Sequence, residues 1–128
     1  MQLQGIPGAF SVCKIDSLTQ INPGNGFFFL GKTDEEVSLV CRTTDVPSET
    51  VARDDNWRCF RISGVLDFSL VGILSDIALI LAEKKISIFA VSTYNTDYIL
   101  VKKADYENTV AALTDAGYEF SGENGDNN

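Results

Sequence analysis

The sequence contains no histidine. This absence excludes Ser-His-Asp and Cys-His catalytic arrangements and removes the side chain that most often ligates metals in proteins. The glycine-bracketed run GVLDFSLVGIL (64–74) has neither the glycine spacing of a phosphate-binding loop nor a Gly-x-Ser-x-Gly motif around Ser69. The sequence therefore predicts a protein that is not an enzyme and uses no cofactor.

Cysteine is scarce, and the three cysteines do not form a pattern. Cys13, Cys41 and Cys59 are odd in number, and each lies in an apolar, strand-like run. Their wide spacing matches no zinc motif, and an odd number does not suit a disulfide framework. We expect buried, reduced thiols and a cytoplasmic protein.

Long apolar runs and positive charge are also lacking. No apolar stretch approaches the roughly 20 residues that span a bilayer, and the N-terminal MQLQGIPGAF does not have the pattern of a signal peptide. The formal net charge is −8 and the pI is about 4.3, so the surface repels phosphate backbones and anionic membranes. We expect neither a nucleic-acid partner nor a membrane partner.

The 128 residues include 45% hydrophobic side chains, enough to form the core of one compact domain or of two very small ones. Alternating apolar residues and intervening turn signals predict a series of strands. These are AFSVCKI (9–15), FFFLG (27–31), VSLVCR (37–42), WRCFRISG (57–64), ISIFAVST (86–93), YILVKK (98–103) and YEFSG (118–122). FFFL is interpreted as a buried strand or, alternatively, as an interface edge.

Two helices are predicted in the second half, and a short third one earlier. Apolar residues at 3–4 spacing predict a helix over 69–85, whose broad stripe requires covering on more than one side. Residues 105–116 form the second helix, with Asp105 as its cap and Gly117 as its left-handed end. SETVAR (48–53) is predicted to be a short helix.

From Trp57 onward the order of elements is strand, helix, strand, strand, helix, strand. This is the βαββαβ, ferredoxin-like arrangement of an α+β fold, with antiparallel sheets and helices on one face. Residues 56–122 are expected to form this complete unit and residues 1–55 a degenerate copy packed with it, although no residue-level repeat is evident. Residues 123–128 are expected to be a disordered tail.

The topology places two distant segments together. In the usual sheet order 4-1-3-2, the end of the first strand lies beside the start of the third, so VLDFS (65–69) meets STYNTD (92–97). Helix N-terminal amides there favour a carboxylate, and the carboxylates of Asp67 and Asp97 favour an amine or guanidinium. An amino acid presents this combination of groups.

Both segments also have a purely structural interpretation. Asp67 or Ser69 suits a helix N-cap, and a cap residue is free to line a cleft as well. YNTD (94–97) has the composition of an ordinary turn. The residues alone leave these alternatives open.

Three stretches resemble the small tandem ACT-domain proteins, which are similar to aspartate kinase regulatory domains and to cytosolic arginine sensors. The stretches are FFFLGKTDEEVSLVCR (27–42), WRCFRISGVLDFSLVGIL (57–74) and IFAVSTYNTDYILVK (88–102). The resemblance implies two ACT units, the first degenerate, and a ligand, usually an amino acid, bound where ACT units meet. The positions it implies as ligand-binding are Leu66, Asp67, Phe68, Ser69, Thr93, Asn95, Thr96 and Asp97.

Two functions follow as hypotheses. The first is a non-catalytic, amino-acid-binding regulatory module whose packing shift is sensed by an effector protein, because the resemblance extends to no catalytic domain. The alternative is a structural or protein-interaction module that forms a homodimer through an open sheet edge without a small ligand.

Overall fold

The structure, a computed structural model, describes residues 2–63 and 72–122. Within these residues the chain forms seven strands and two α-helices. Their bounds are β1 Gln2–Ile15, β2 Phe28–Lys32, β3 Val37–Arg42, β4 Ala52–Ile62, α1 Ile73–Glu83, β5 Ile88–Ser92, β6 Asp97–Lys102, α2 Tyr106–Asp115 and β7 Glu119–Gly122. Single 3-10 turns lie at Leu18–Gln20, Thr43–Asp45 and Lys103–Asp105.

The chain divides into two compact units. The larger unit combines Met1–Pro7 with Arg58–Asn128, and the smaller unit is Gly8–Trp57. The strands β1 and β4 both cross these boundaries, so each strand has one segment in the larger unit and one in the smaller unit. The N-terminal heptapeptide thus belongs with the C-terminal half of the chain.

The sheet of the larger unit has the order β7-β1-β4-β6-β5. The expected neighbours β4 and β6 are confirmed, but the expected pairing of the last strand with the first strand of the ferredoxin-like unit is wrong. Gln2–Gly5 of β1 lies between them: it pairs in parallel with Glu119–Gly122, and Ser63 N–H donates to the Gln2 carbonyl at 2.9 Å. The local sequence of Gln2–Gly5 gives little indication of a strand, because this segment is held by partners far along the chain.

Both helices cover one face of this sheet. Ile77 and Leu81 of α1 and Leu113 of α2 are fully buried against Phe60 and Ile62 of β4. Other members of this core are Leu3, Ile86, Ile99, Val101 and Tyr106. Burial of each large apolar side chain contributes about 1.5–3 kcal/mol, so this core is a principal source of stability in the larger unit.

The smaller unit is built from β2, β3 and the adjoining segments of β1 and β4, and contains no α-helix over residues 8–57, all of which the structure describes. Its core consists of Cys13, Ile15, Leu39 and Cys41. All three cysteines of the sequence are buried and form no disulfide, as expected. The strand from the FFFL stretch, β2, lies at the edge of the sheet, and its Leu30 is 43% exposed.

The hairpins β2–β3 and β5–β6 share one geometry at an offset of 60 residues. Phe28 pairs with Cys41 and Ile88 with Val101, and both registers continue unbroken to the turn. Each turn closes with the same 2.9 Å hydrogen bond, from Thr33 N–H to the Glu36 carbonyl and from Thr93 N–H to the Thr96 carbonyl. A 3-10 turn follows each hairpin, also 60 residues apart.

The predicted helix over 48–53 is wrong. The chain there is extended: Val51 N–H donates to the Lys14 carbonyl at 2.8 Å, and β4 begins at Ala52. Six residues are too few to sustain an isolated helix, so pairing with β1 prevails.

The two longer helices were predicted with small errors at their ends. Of the helix predicted over 69–85, α1 occupies Ile73–Glu83, with Leu79 60% exposed. Asp105 does occupy the N-cap position of α2 but makes no side-chain capping hydrogen bond, and Gly117 is left-handed, with φ 103°. The predicted tail at 123–128 lies outside the described residues.

Candidate functional site

The turn between β5 and β6 is held by its own threonines. Thr93 Oγ1 donates to the Thr96 carbonyl at 2.8 Å, and Thr96 N–H donates to Thr93 Oγ1 at 3.3 Å. Tyr94 at the tip is 85% exposed, and Asn95 beside it is exposed too. These hydrogen bonds fix the conformation of the turn, which is consistent with the interpretation of YNTD as an ordinary turn.

A second contact ties this turn to the end of β4. Thr96 is only 4% exposed, and its hydroxyl donates to the Ile62 carbonyl at 2.8 Å. The bond joins the start of the third strand of the βαββαβ unit to the end of the first, as the topology predicts. The chain enters the stretch 64–71 directly after this junction.

The structure distinguishes the predicted site residues by what their side chains are already bonded to. The hydroxyls of Thr93 and Thr96 are committed within the turn and to β4, so both position the site rather than offer free groups. Asp97, the first residue of β6, is 9% exposed and forms no side-chain hydrogen bond or ion pair with any described residue. Of the predicted positions in this segment, Asp97 and Asn95 are thus the two whose side chains form no hydrogen bond with a described residue.

The other half of the predicted site lies outside the described residues: Leu66, Asp67, Phe68 and Ser69. The same holds for the proposal that Asp67 or Ser69 caps the first helix. Where α1 begins, at Ile73, the N-cap position is Gly72, with φ 87° and no side-chain hydrogen bond.

A small cavity lies at the first turn of α1. It has a volume of about 200 Å³ and is lined by Asp76, Ala116, Gly117 and Tyr118. The Tyr118 hydroxyl donates to Asp76 Oδ2 at 2.6 Å, which links α1 to the start of β7. Burial, together with this bond and the charge of Asp76, raises the pKa of Tyr118 to about 12.

Metal and thiol chemistry find no support in the part of the chain that the structure describes. No three His, Cys, Asp or Glu side chains cluster there in a way that would hold a metal ion. Burial raises the pKa of Cys41 to about 12 and that of Cys13 above its usual range, so both thiols stay protonated near neutrality. A protonated thiol is a poor nucleophile and a poor ligand.

Sequence reasoning missed one polar group, formed by Gln4, Arg61 and Tyr98. Arg61 Nε donates to Gln4 Oε1 at 2.9 Å, and Arg61 Nη1 donates to the Tyr98 hydroxyl at 3.1 Å. The alternation of Arg61 with apolar residues in WRCFRISG was the available signal. Gln4 reaches Arg61 because β1 begins at Gln2, and the predicted strand began only at residue 9.

The sequence matches a known family over its second half. The family model described as the ACT domain covers residues 52–115, half of the 128 residues. The chain belongs to the ACT-domain family.

Solved structures of other proteins share this fold. A protein of Agobacterium tumefaciens is 30% identical, with a TM-score of 0.84 over 95% of this chain and 92% of its own. A Vibrio cholerae protein of unknown function is 20% identical, with a TM-score of 0.66 over 89% and 88% of the two chains. The aspartate kinase of Clostridium acetobutylicum, an allosteric enzyme, is 15% identical, with a TM-score of 0.64 over 89% of this chain and 33% of that enzyme. Among curated proteins none matches.

Family membership confirms the ferredoxin-like α+β fold and the similarity to aspartate kinase regulatory domains. ACT domains are regulatory, non-catalytic modules, and this assigns the chain to the class of small-molecule regulatory modules. None of the described helices is both long enough and apolar enough to cross a membrane.

Proposed function

We propose that this ACT-domain protein is a regulatory module that binds an amino acid at the turn 93–97, with residues 66–69 as the opposite wall. The observation that carries the proposal is the bond from Thr96 to Ile62. It fixes the turn against the end of β4, and the chain continues from there into 64–71.

Asp97 is the residue that recognises the ligand's amine or guanidinium. Its carboxylate is largely removed from water, and it has no partner among the described residues that would compete with a ligand. A charge-assisted hydrogen bond from an ammonium group would satisfy this buried carboxylate. Helix N-terminal amides remain the expected partners of the ligand's carboxylate.

The smaller unit is proposed to be a degenerate ACT copy that has lost its site. Its hairpin repeats the register of β5–β6, yet its residues 8–57 contain no α-helix and therefore offer no helix N-terminus to a ligand. Glu36 and Val37 stand where the intact unit has Thr96 and Asp97. One ligand per chain is therefore expected.

Thermal unfolding against each common amino acid tests the proposal. At least one should raise the midpoint in the millimolar range, because a ligand that binds only the folded state stabilises it. Asp97→Asn should abolish this shift, whereas Asp34→Asn, the same change in the turn of the smaller unit, should preserve it. If no amino acid shifts the midpoint, or if Asp97→Asn leaves the shift intact, the proposal fails.

Dimer formation is a second candidate function, favoured by the edge strand β2. Its Leu30 is 43% exposed beside the half-buried Phe28 and Phe29, and an apolar edge of this kind invites pairing with another chain. Light scattering at tens of micromolar protein, the range where weak dimers form, should give a dimer mass that Leu30→Lys returns to a monomer. A monomeric wild type would remove this candidate.

We also propose how ligand binding is transmitted. An effector protein would sense a ligand-dependent change in the packing of the ACT unit. Three cysteines without a disulfide suit a reducing compartment, and we propose a cytoplasmic location.

A further inference from the structure

The loop before β2 carries an asparagine followed by a glycine, Asn25 and Gly26. Asparagine is one of the thermolabile residues of proteins. Its side-chain Cγ lies within reach of the backbone nitrogen of the next residue, and attack by this nitrogen closes a five-membered ring. A side chain on the next residue hinders the attack, and glycine has none. The same dipeptide recurs at Asn124–Gly125, outside the described residues.

Neither reacting group of Asn25 and Gly26 is engaged in the folded chain. The Asn25 side-chain amide and the Gly26 N–H form no hydrogen bond with any described residue. The backbone N–H of Asn25 donates to the Asn22 carbonyl at 3.0 Å, which holds the turn and leaves the side chain unbound. A hydrogen bond to either reacting group would have to break before the ring closes, and its absence keeps the barrier low.

The surroundings of Gly26 leave room for the ring. A Cβ placed on Gly26 would meet no heavy atom within 4 Å, and the φ of this residue lies outside the left-handed region. Gly26 is exposed, and Asn25 is half-buried. Water therefore reaches the dipeptide, and an exposed loop changes its backbone angles at little cost.

The other asparagines in the described parts of the chain lack at least one of these features. Asn22 precedes a proline, which has no N–H to lose, and its Oδ1 accepts from Gly24 N–H at 2.9 Å. The nitrogen that follows Asn95 belongs to Thr96, and its N–H donates to Thr93 Oγ1 at 3.3 Å. The remaining two lie within β4 and α2 and precede a tryptophan and a threonine: Asn56 and Asn108.

We propose that Asn25 is a modification site at which the protein deamidates without an enzyme. The Gly26 nitrogen loses its proton to hydroxide and attacks Cγ of Asn25, and the side-chain nitrogen leaves as ammonia. Water then opens the resulting succinimide at either of its two carbonyls, which gives aspartate or isoaspartate. The net reaction consumes one water and releases one ammonia, with no change in oxidation state.

The products alter a loop that is anchored immediately after the reacting residues. The ring centroids of Phe27 and Phe10 lie 5.6 Å apart in an edge-on contact, and the guanidinium carbon of Arg42 lies 5.0 Å from the Phe27 centroid. Both products add a negative charge two residues before Phe27. Isoaspartate also routes the backbone through Cβ and so lengthens it by one methylene. The isoaspartate form should therefore anchor Phe27 less firmly than the aspartate form does.

Incubation of the folded protein in neutral buffer, followed by tryptic digestion and tandem mass spectrometry, tests the proposal. Cleavage after Lys14 and Lys32 releases the peptide 15–32, which contains both Asn22 and Asn25. Asn25 should gain the mass difference between an amino and a hydroxyl group and give two separable products, isoaspartate and aspartate, while Asn22 stays unchanged. The rate should rise with pH, and it should lie within about tenfold of the rate in the free peptide 15–32.

Two variants make the test specific. Gly26→Ala fits the open space and should slow the reaction about tenfold or more, because its methyl group crowds the attacking nitrogen. Asn25→Gln keeps an amide but requires a six-membered ring, so its peptide should gain no mass over the same period. An unmodified Asn25, aspartate without isoaspartate, or an undiminished rate in Gly26→Ala would each overturn the proposal. A rate far below that of the free peptide would do so too, because the fold would then protect the loop.

Discussion

The hydroxyl of Thr96 donates a 2.8 Å hydrogen bond to the carbonyl oxygen of Ile62, 34 residues earlier in the chain. Through this bond a turn made only of polar residues becomes part of the buried frame of the ACT unit. It also explains why Thr96 is 4% exposed while the adjoining Asn95 is exposed. The candidate site is therefore built on a rigid support.

Replacing Thr96 by valine tests this support. The variant keeps the shape but leaves the Ile62 carbonyl without its donor, at a cost of about 1–3 kcal/mol in the free energy of unfolding. Urea denaturation should show a lower midpoint with an unchanged slope. Thr44→Val, at an exposed threonine, should have little effect. Equal midpoints for the two variants would contradict the proposed role of Thr96.

Alkaline pH should weaken the fold through Tyr118. Its pKa in the folded protein is raised from 10 to about 12, so the folded state holds the phenol proton more tightly than the unfolded state does. The associated stability is present in full below pH 10 and is lost as the pH rises towards 12.

The measurement is the difference in unfolding free energy between wild type and Tyr118→Phe across this pH range. The difference should shrink as the pH rises, because only the wild type loses its bond to Asp76. Tyr94→Phe, at a side chain 85% exposed, is the matched control and should follow the wild type. A difference that does not depend on pH would refute the role of the phenol proton.

Two leucines on α1 give a matched test of the core. Leu81 is fully buried and Leu79 is 60% exposed. Leu81→Ala should lower the free energy of unfolding by about 2–5 kcal/mol, because it leaves a cavity between helix and sheet. Leu79→Ala should change it by about 0.5 kcal/mol or less. Similar losses at both positions, in chemical denaturation, would mean that Leu79 is also covered, for example by a second copy of the chain.

Local periodicity was a good guide to the elements of the larger unit. The 3–4 spacing around Ile77 and Leu81 predicted α1, and alternation predicted β4, β5 and β6, because these patterns reflect one buried face. The meeting of β4 with the 93–97 turn followed from topology alone. The bond from Thr96 to Ile62 marks this junction.

The sequence did not reveal what depends on distant partners. The strand Gln2–Gly5 exists because it fits between β4 and β7, and its partners Glu119–Gly122 lie near the other end of the chain. The segment 48–53, predicted to be a helix, is extended for a similar reason, because Val51 is hydrogen-bonded to the distant Lys14. The Arg61 group required both the extra strand and the β4–β6 register.

The most direct test of the central claim is a ¹⁵N–¹H titration with pooled amino acids. The account predicts that the amide signals of Thr93–Asp97 shift saturably, while those of Thr33–Val37, the same turn in the smaller unit, stay in place. If the Thr93–Asp97 signals stay unmoved up to about 10 mM of each amino acid, a concentration well above ordinary effector affinities, then this turn is not an amino-acid site.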